Sequence, residues 1–260
     1  MHIDDNEFQF ILIYKYFRHD LLALIEEHPD FPAAGIKKIL DSVAKAINEF
    51  RDKDWIHIDI KPNNIFVDWT RDNQGIQTVQ DVALGDFDIA FKSENRLALR
   101  TRIAIGDMFW RSPEGQTATG VTKASDIFSF GLVCLSALGA SELPPPKNIQ
   151  PFLTKNPKPE PEVLCRHFIY FDPLSKGLLQ QFDDNWRDAL RNIAAEAESI
   201  GVTEPEMRFQ SWRETTYFSS EAKSMIPGMI NLDPGARPTI DEVLRHQWWI
   251  SNETQTERTG

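Results

Sequence analysis

Apolar residues recur at Ile36, Ile39, Leu40, Val43, Ile47 and Phe50, the spacing of one helix face, and predict an amphipathic helix over residues 34–52. Trp186, Leu190, Ile193, Ala194, Ala197 and Ile200 repeat that spacing and predict another. Ser125 to Leu135 is apolar on nearly every side, the pattern of a helix buried all round. Strands are signalled by shorter runs. Ile65 to Val67 and Val79 to Leu84, joined by the polar stretch Thr70 to Gln77 with Asn73 and Gly75 in it, predict a hairpin. Phe8 to Phe17, dense in Ile, Tyr and Phe, predicts a strand. Thr239-Ile240-Asp241-Glu242, after Pro238, is a capping box opening a last helix. From Glu142 to Glu162 prolines accumulate, which predicts an extended surface connection in place of a helix. The helical pattern resumes beyond it, so it does not divide domains, and no internal repeat is visible.

Composition narrows the class. A chain of 260 residues with this apolar content is one large globular domain or two small lobes. A net charge of -11 argues against a general nucleic-acid binder, which needs a basic footprint. Cys134 and Cys165 have neither CxxC spacing nor enough company for a disulfide framework or a zinc site, so a reduced, intracellular and cytoplasmic setting is expected. The start Met1-His2-Ile3-Asp4-Asp5 lacks the basic and apolar regions of a signal peptide, and no apolar run approaches a membrane span. No membrane partner is expected.

The chemistry concentrates in His57-Ile58-Asp59-Ile60-Lys61-Pro62-Asn63-Asn64, directly after the first predicted helix and directly before the first hairpin strand. It places a candidate base, a cation and a metal-ligating amide at close spacing, and phosphoryl transfer asks a protein mainly to position groups and neutralise charge. A His-Asp pair alone would be an ordinary polar loop. The eight-residue string resembles the catalytic loop of eukaryotic protein kinases. That resemblance implies that Asp59 accepts or orients the proton of the attacking hydroxyl, that Lys61 sits by the transferred phosphate, and that Asn64 helps to hold magnesium.

Other strings extend the resemblance over roughly residues 8 to 250. Asp86-Phe87-Asp88 is similar to the Asp-Phe-Gly motif, which implies that Asp86 chelates the same Mg2+ as Asn64, both being hard oxygen ligands. Gly106 to Glu114 resembles the end of an activation segment, with Ser112-Pro113-Glu114 for Ala-Pro-Glu, and implies an ion pair between Glu114 and Arg237 that fixes geometry. Asp126 stands where the family braces the catalytic-loop backbone; its plain reading is a helix N-terminal acid, and the two are compatible. His57 and Phe87 correspond to the apolar spine. Tyr14 to Asp20 resembles the hinge between the two kinase lobes: backbone groups of Lys15 and Phe17 would bond the adenine edge of ATP, Asp20 would lie by the ribose, and Phe66 would form the floor.

Together these imply an α+β, mainly helical fold: a protein-kinase-like large lobe with a small remnant β-sheet from the other lobe. The expected organisation is residues 1–17 as remnant strands, 18–250 as hinge and large lobe, and 251–260 as a short tail. There are also departures. The sequence shows no Gly-x-Gly-x-x-Gly loop, no Val-Ala-Ile-Lys-type lysine and no glutamate-bearing helix before the hinge, parts the family uses to grip ATP phosphates. Ile58 replaces the usual arginine, which removes the clamp for a phosphorylated loop. Asp88 replaces a glycine, and Asp107 replaces a threonine, where it could pair with Lys61 or repel Asp59. Lys61 favours serine/threonine specificity by resemblance. The leading expectation is a serine/threonine protein kinase using ATP and Mg2+ on a protein substrate. The alternative is a pseudokinase scaffold, and either would expose apolar surface near Phe8 to Phe17 for a partner to cover.

Overall fold

A computed structural model describes residues 2–6, 11–93, 97–139, 150–155, 159–171, 174, 176–182 and 184–250. Strands β1 (His2–Asn6) and β2 (Ile11–Tyr14) form an antiparallel pair. Phe8 and Phe10 of the predicted first strand lie outside the described residues. A two-residue strand β3 (His19–Asp20) then leads into α1 (Leu21–Glu27) and the long α2 (Ala33–Asp52). Helix α2 buries the predicted stripe Ile36, Ile39, Leu40, Val43 and Ile47, because its large apolar side chains line up on that face.

Strand β4 (Trp55–Ile56) precedes the loop at His57, and β5 (Ile65–Arg71) and β6 (Gln77–Leu84) follow it as an antiparallel hairpin in register Ile65↔Leu84. The hairpin loop is shorter than its polar composition suggests. Asp72 accepts from the amides of Gln74 at 2.9 Å and Ile76 at 2.8 Å, and Gly75 takes φ +85°, so the reversal closes within five residues, 72–76, and the strands extend to Arg71 and Gln77. The sheet order is β3-β5-β6, while β4 pairs with β7 (Phe91–Lys92).

The rest of the described chain is helical: α3 (Pro113–Gln116), α4 (Lys123–Ala137), α5 (Gln150–Lys155), α6 (Pro159–Tyr170), α7 (Lys176–Gln180), α8 (Asp184–Thr203), α9 (Ser220–Met229) and α10 (Ile240–Leu244). Where the proline-rich stretch is described, at 150–155 and 159–162, it is helical and corrects the expectation of an extended connection there; its residues 142–149 and 156–158 lie outside the described residues. Pro159 and Pro161 fall in the first turn of α6, where a missing N–H breaks no helical bond and the fixed φ suits the helix. Helix α4 is buried on nearly every side and forms the axis of the main core with Phe168, Met229 and Ile230. Gly131 permits this, since a Cβ there would come within 2.7 Å of Ile230. The fold is α+β and mainly helical, with its small sheets gathered around the chain from β2 to β7.

Candidate active site

Helix α4 holds the loop at His57 from beneath. Thr122 and Ser125 form a capping box at its start, which sets Asp126 in the first turn. The Asp126 carboxylate accepts from the backbone N–H of His57 at 2.8 Å and of Ile58 at 2.9 Å. Burial pushes this carboxyl up to about 7, against those two N–H donors. Ile58 needs such a hold, because a β-branched residue at φ +75° is strained and persists only where its surroundings determine it. Its side chain is buried with Ile56 and Val121, and Ile89, Phe91, Leu99 and Ile105 pack around that cluster.

His57 is fully buried and its pKa is lowered by that burial, so the ring is neutral. The Asp59 N–H donates to His57 Nδ1 at 3.3 Å, which assigns the proton to Nε2, and Nε2 donates to the Gly85 carbonyl at 3.0 Å. The Phe87 ring lies against His57 at 5.3 Å and stacks on Phe50 at 5.1 Å.

Asp59 itself is nearly buried. Its Oδ2 accepts from Lys61 Nζ at 2.7 Å and Asn64 Nδ2 at 3.1 Å, and its Oδ1 accepts from the Asp107 N–H at 2.8 Å. Burial alone would raise this carboxyl, but the bonds from Lys61, Asp107 and Asn64 hold it below the usual carboxylate range. Lys61 is pushed the other way: burial would lower it, and Asp59, with help from Asp107 and Asp86, raises it. The choice left open for Asp107 has a definite geometry. Its carboxylate faces Lys61 at 4.0 Å, while its amide serves Asp59.

A cavity of ≈ 870 Å³ opens beside this constellation, lined among others by Lys15, Phe17, Asn64, Phe66, Asp86 and Asp88. The Phe17 and Phe66 rings stack at 6.1 Å with planes 30° apart, and Lys15 Nζ lies 4.7 Å over Phe17, held by Asp68 at 2.9 Å and Asp81 at 2.8 Å. Gly85 lets the Phe66 ring in, since a Cβ there would meet it at 2.6 Å. Asp86 takes the left-handed φ of 64°, which Asp tolerates; Asp88, at the glycine position, needs no such conformation. Asp20 is placed differently from the other hinge residues. It caps α1 through the Ala23 N–H at 2.8 Å and is not among the cavity-lining side chains.

Far from the cavity, Glu114 and Arg237 meet in a two-pronged ion pair at 2.6 and 2.9 Å. Burial would raise Glu114, but Arg237 and the Ser125 hydroxyl at 2.7 Å hold it low. Sequence reasoning overlooked Ser125, which links this pair to the α4 cap; the Thr-x-x-Ser pattern at 122–125 was its signal. It also overlooked Arg111, which donates through Nε to the Gly106 carbonyl at 2.8 Å and lies 3.8 Å from Glu160 of α6. No local pattern announces that contact.

The family model of the protein kinase domain matches residues 2–249. The chain belongs to the protein kinase domain family. It is 24% identical over 239 residues to the calcium/calmodulin-dependent protein kinase cmkA of Emericella nidulans, covering 92% of this chain and 44% of that protein. It is 21% identical over 239 residues to serine/threonine-protein kinase 33 of Bos taurus, covering 92% of this chain and 40% of that protein. A probable serine/threonine-protein kinase, pXi of Dictyostelium discoideum, is 23% identical over 229 residues, 88% of this chain and 24% of that protein. The chain thus spans less than half the length of these relatives. Among the described residues, no helix is long and apolar enough to cross a membrane.

Proposed function

We propose that this chain transfers the ATP γ-phosphate to serine or threonine hydroxyls of proteins. The observation that carries the reading is the Asp59 carboxylate, held ionised by Lys61, Asn64 and the Asp107 amide beside a cavity with stacked aromatic walls. In this reading the base lies against the Phe17 and Phe66 pair, with the Lys15 and Phe17 backbone at its edge, in a cavity of the size that small-molecule sites use. Asp20, which caps α1, would lie by the ribose. Asp59 orients the acceptor hydroxyl, and Lys61 adds positive charge where the phosphoryl group passes. The donor set suits magnesium. The Asn64 amide nitrogen is engaged by the Asp59 carbonyl at 2.8 Å, which leaves its oxygen, with the Asp86 carboxylate, as hard ligands. Magnesium, when bound, neutralises phosphate charge.

Replacing Asp59 by Asn keeps the shape and removes the charge. Transfer of labelled phosphate from ATP to a mixed serine/threonine peptide library should fall about 10²- to 10⁴-fold. Undiminished transfer would sink the assignment.

A second reading is favoured by exposure at the hinge. Tyr16 is 80% exposed and Tyr14 49%, an aromatic face suited to a partner protein, so the chain would act as a non-catalytic scaffold. Thermal unfolding with ATP and magnesium separates the two: a rise in midpoint supports the kinase, and its absence supports the scaffold.

A further inference from the structure

A second set of potential ligands, none of them a residue of the catalytic loop, converges between β3 and the C-terminal end of α1. His19 of β3, Glu27 in the last turn of α1 and His28 at its C-cap each bring one ligand atom within 4.8 Å of the others. We propose that these three side chains bind one zinc ion or a similar imidazole-seeking divalent cation, clipping β3 to the end of α1.

Two imidazoles and a carboxylate are a recognised zinc donor set, three protein ligands with a fourth position left for water. His19 Nδ1 is buried and has no hydrogen-bond partner, a costly state for an imidazole nitrogen unless something binds it. The rings are also packed among aromatic side chains. Trp69 of β5 packs edge-on to His28 at 4.7 Å and against His19 at 5.8 Å, and Phe31 backs Trp69 at 5.4 Å. The backbone fixes the approach: His19 pairs with Val67 in the sheet, and the Phe31 N–H donates to the His28 carbonyl at 2.9 Å to turn the chain after the helix. Zinc bonds of about 2.0–2.1 Å bring tetrahedral donors to roughly 3.3 Å from each other. Glu27 is exposed and free to swing inward, so rotation of that side chain and of His28 closes the difference. The two cysteines are buried and take no part. Imidazole discriminates against magnesium, so this site and the oxygen donors Asn64 and Asp86 would select different ions.

The test is calorimetric titration of the metal-free chain with zinc chloride, in millimolar magnesium chloride to occupy the cleft. One equivalent should bind with micromolar affinity or better. Glu27→Gln and His28→Gln should each weaken it at least about tenfold, as should His19→Ala, whereas Asp86→Asn should leave it unchanged. The unfolding midpoint should rise with zinc in the parent chain and not in His28→Gln. Glu27 and His28 stand at the open end of α1, so their variants test the site even where His19→Ala fails to fold. The proposal is overturned if the parent chain takes up no zinc, if binding survives the Glu27 and His28 substitutions, or if Asp86→Asn abolishes it.

Discussion

Glu114→Gln removes one charge from a pair whose side chains are 2% and 0% exposed. The glutamine keeps one carbonyl oxygen for Ser125 and Arg237, but it turns an N–H2 group toward a guanidinium that has only hydrogens to offer. Arg237 then keeps neutral acceptors alone: the carbonyls of Asn231 at 2.7 Å, Ala124 at 2.8 Å and Leu232 at 3.2 Å, with the Phe128 ring at 4.8 Å. Breaking a buried pair on one side costs about 3–5 kcal/mol, and those acceptors place this case near the lower bound, about 3 kcal/mol. For a domain of this size that is a fall of about 6 °C in the unfolding midpoint. Circular dichroism melts and urea titrations measure it.

Two further results check the cause. Replacing both partners by leucine should destabilise less than Glu114→Gln, because no charge is left uncompensated. The acid limb should change as well. Glu114 has a folded pKa below its ordinary value of 4.5, so its contribution is present above that value and is lost as pH falls through the folded pKa. The parent chain should lose this contribution on acidification and the Gln variant should not. A variant within about 1 kcal/mol of the parent, with an unchanged acid limb, would refute the view that this pair anchors the activation segment to α4.

Three other outcomes follow from the site. Phosphotransfer should rise with pH through about 7, the value to which burial lifts Asp126, because only the ionised carboxylate serves both loop amides; pH–rate profiles of the parent and Asp126→Asn should differ in that limb. Gly106→Ala meets both a φ of +88° and a Cβ 2.8 Å from the Ile58 carbonyl, so it should cost over about 1 kcal/mol in melts and reduce turnover by withdrawing the Asp107 amide from Asp59. His167, buried against Phe128 and Phe171, is lowered to about 3, so its contribution is present above 6.5 and fades as pH falls. His167→Phe should therefore remove about 2 kcal/mol of the stability lost between pH 7.5 and 5, measured by urea titration at both values.

The periodic elements were legible because their signal is local. The α2 stripe and the capping box at Thr239 need only a few neighbouring residues to be read. Helix α6 was hidden because proline is helix-breaking in most positions and neutral in the first turn, and the sequence does not say which turn it occupies. The site is a different case. The Asp126 bonds to the loop span 69 and 68 residues, and the Arg237 bonds to Glu114 span 123. No local rule connects residues so far apart, and only the resemblance of whole motifs suggested looking for them together. The α1 cap at Asp20 is the opposite case: a helix-start acid with an apolar run after it has a local role that the resemblance to a hinge did not bring out.

The substitutions at positions 58 and 107 leave the site its form, and their geometry explains why. At position 58 the catalytic loop uses the backbone N–H, which Asp126 accepts at 2.9 Å, so the side chain is not needed for that bond. The isoleucine instead enters the apolar cluster with Val121, against which Leu99 and Ile105 of the activation segment pack. Burial of those side chains can hold the segment in place of a phosphate clamp. At position 107 the amide again makes the bond, to Asp59 at 2.8 Å, and the carboxylate is left to face Lys61. Both sites depend on a backbone donor aimed by Asp126 or by the left-handed turn at Gly106, not on the side chain that departs from the family pattern. The positions that cannot vary in this arrangement are therefore Asp59, Asp126 and Gly106: the first two accept the amides, and the third sets the turn that presents one of them.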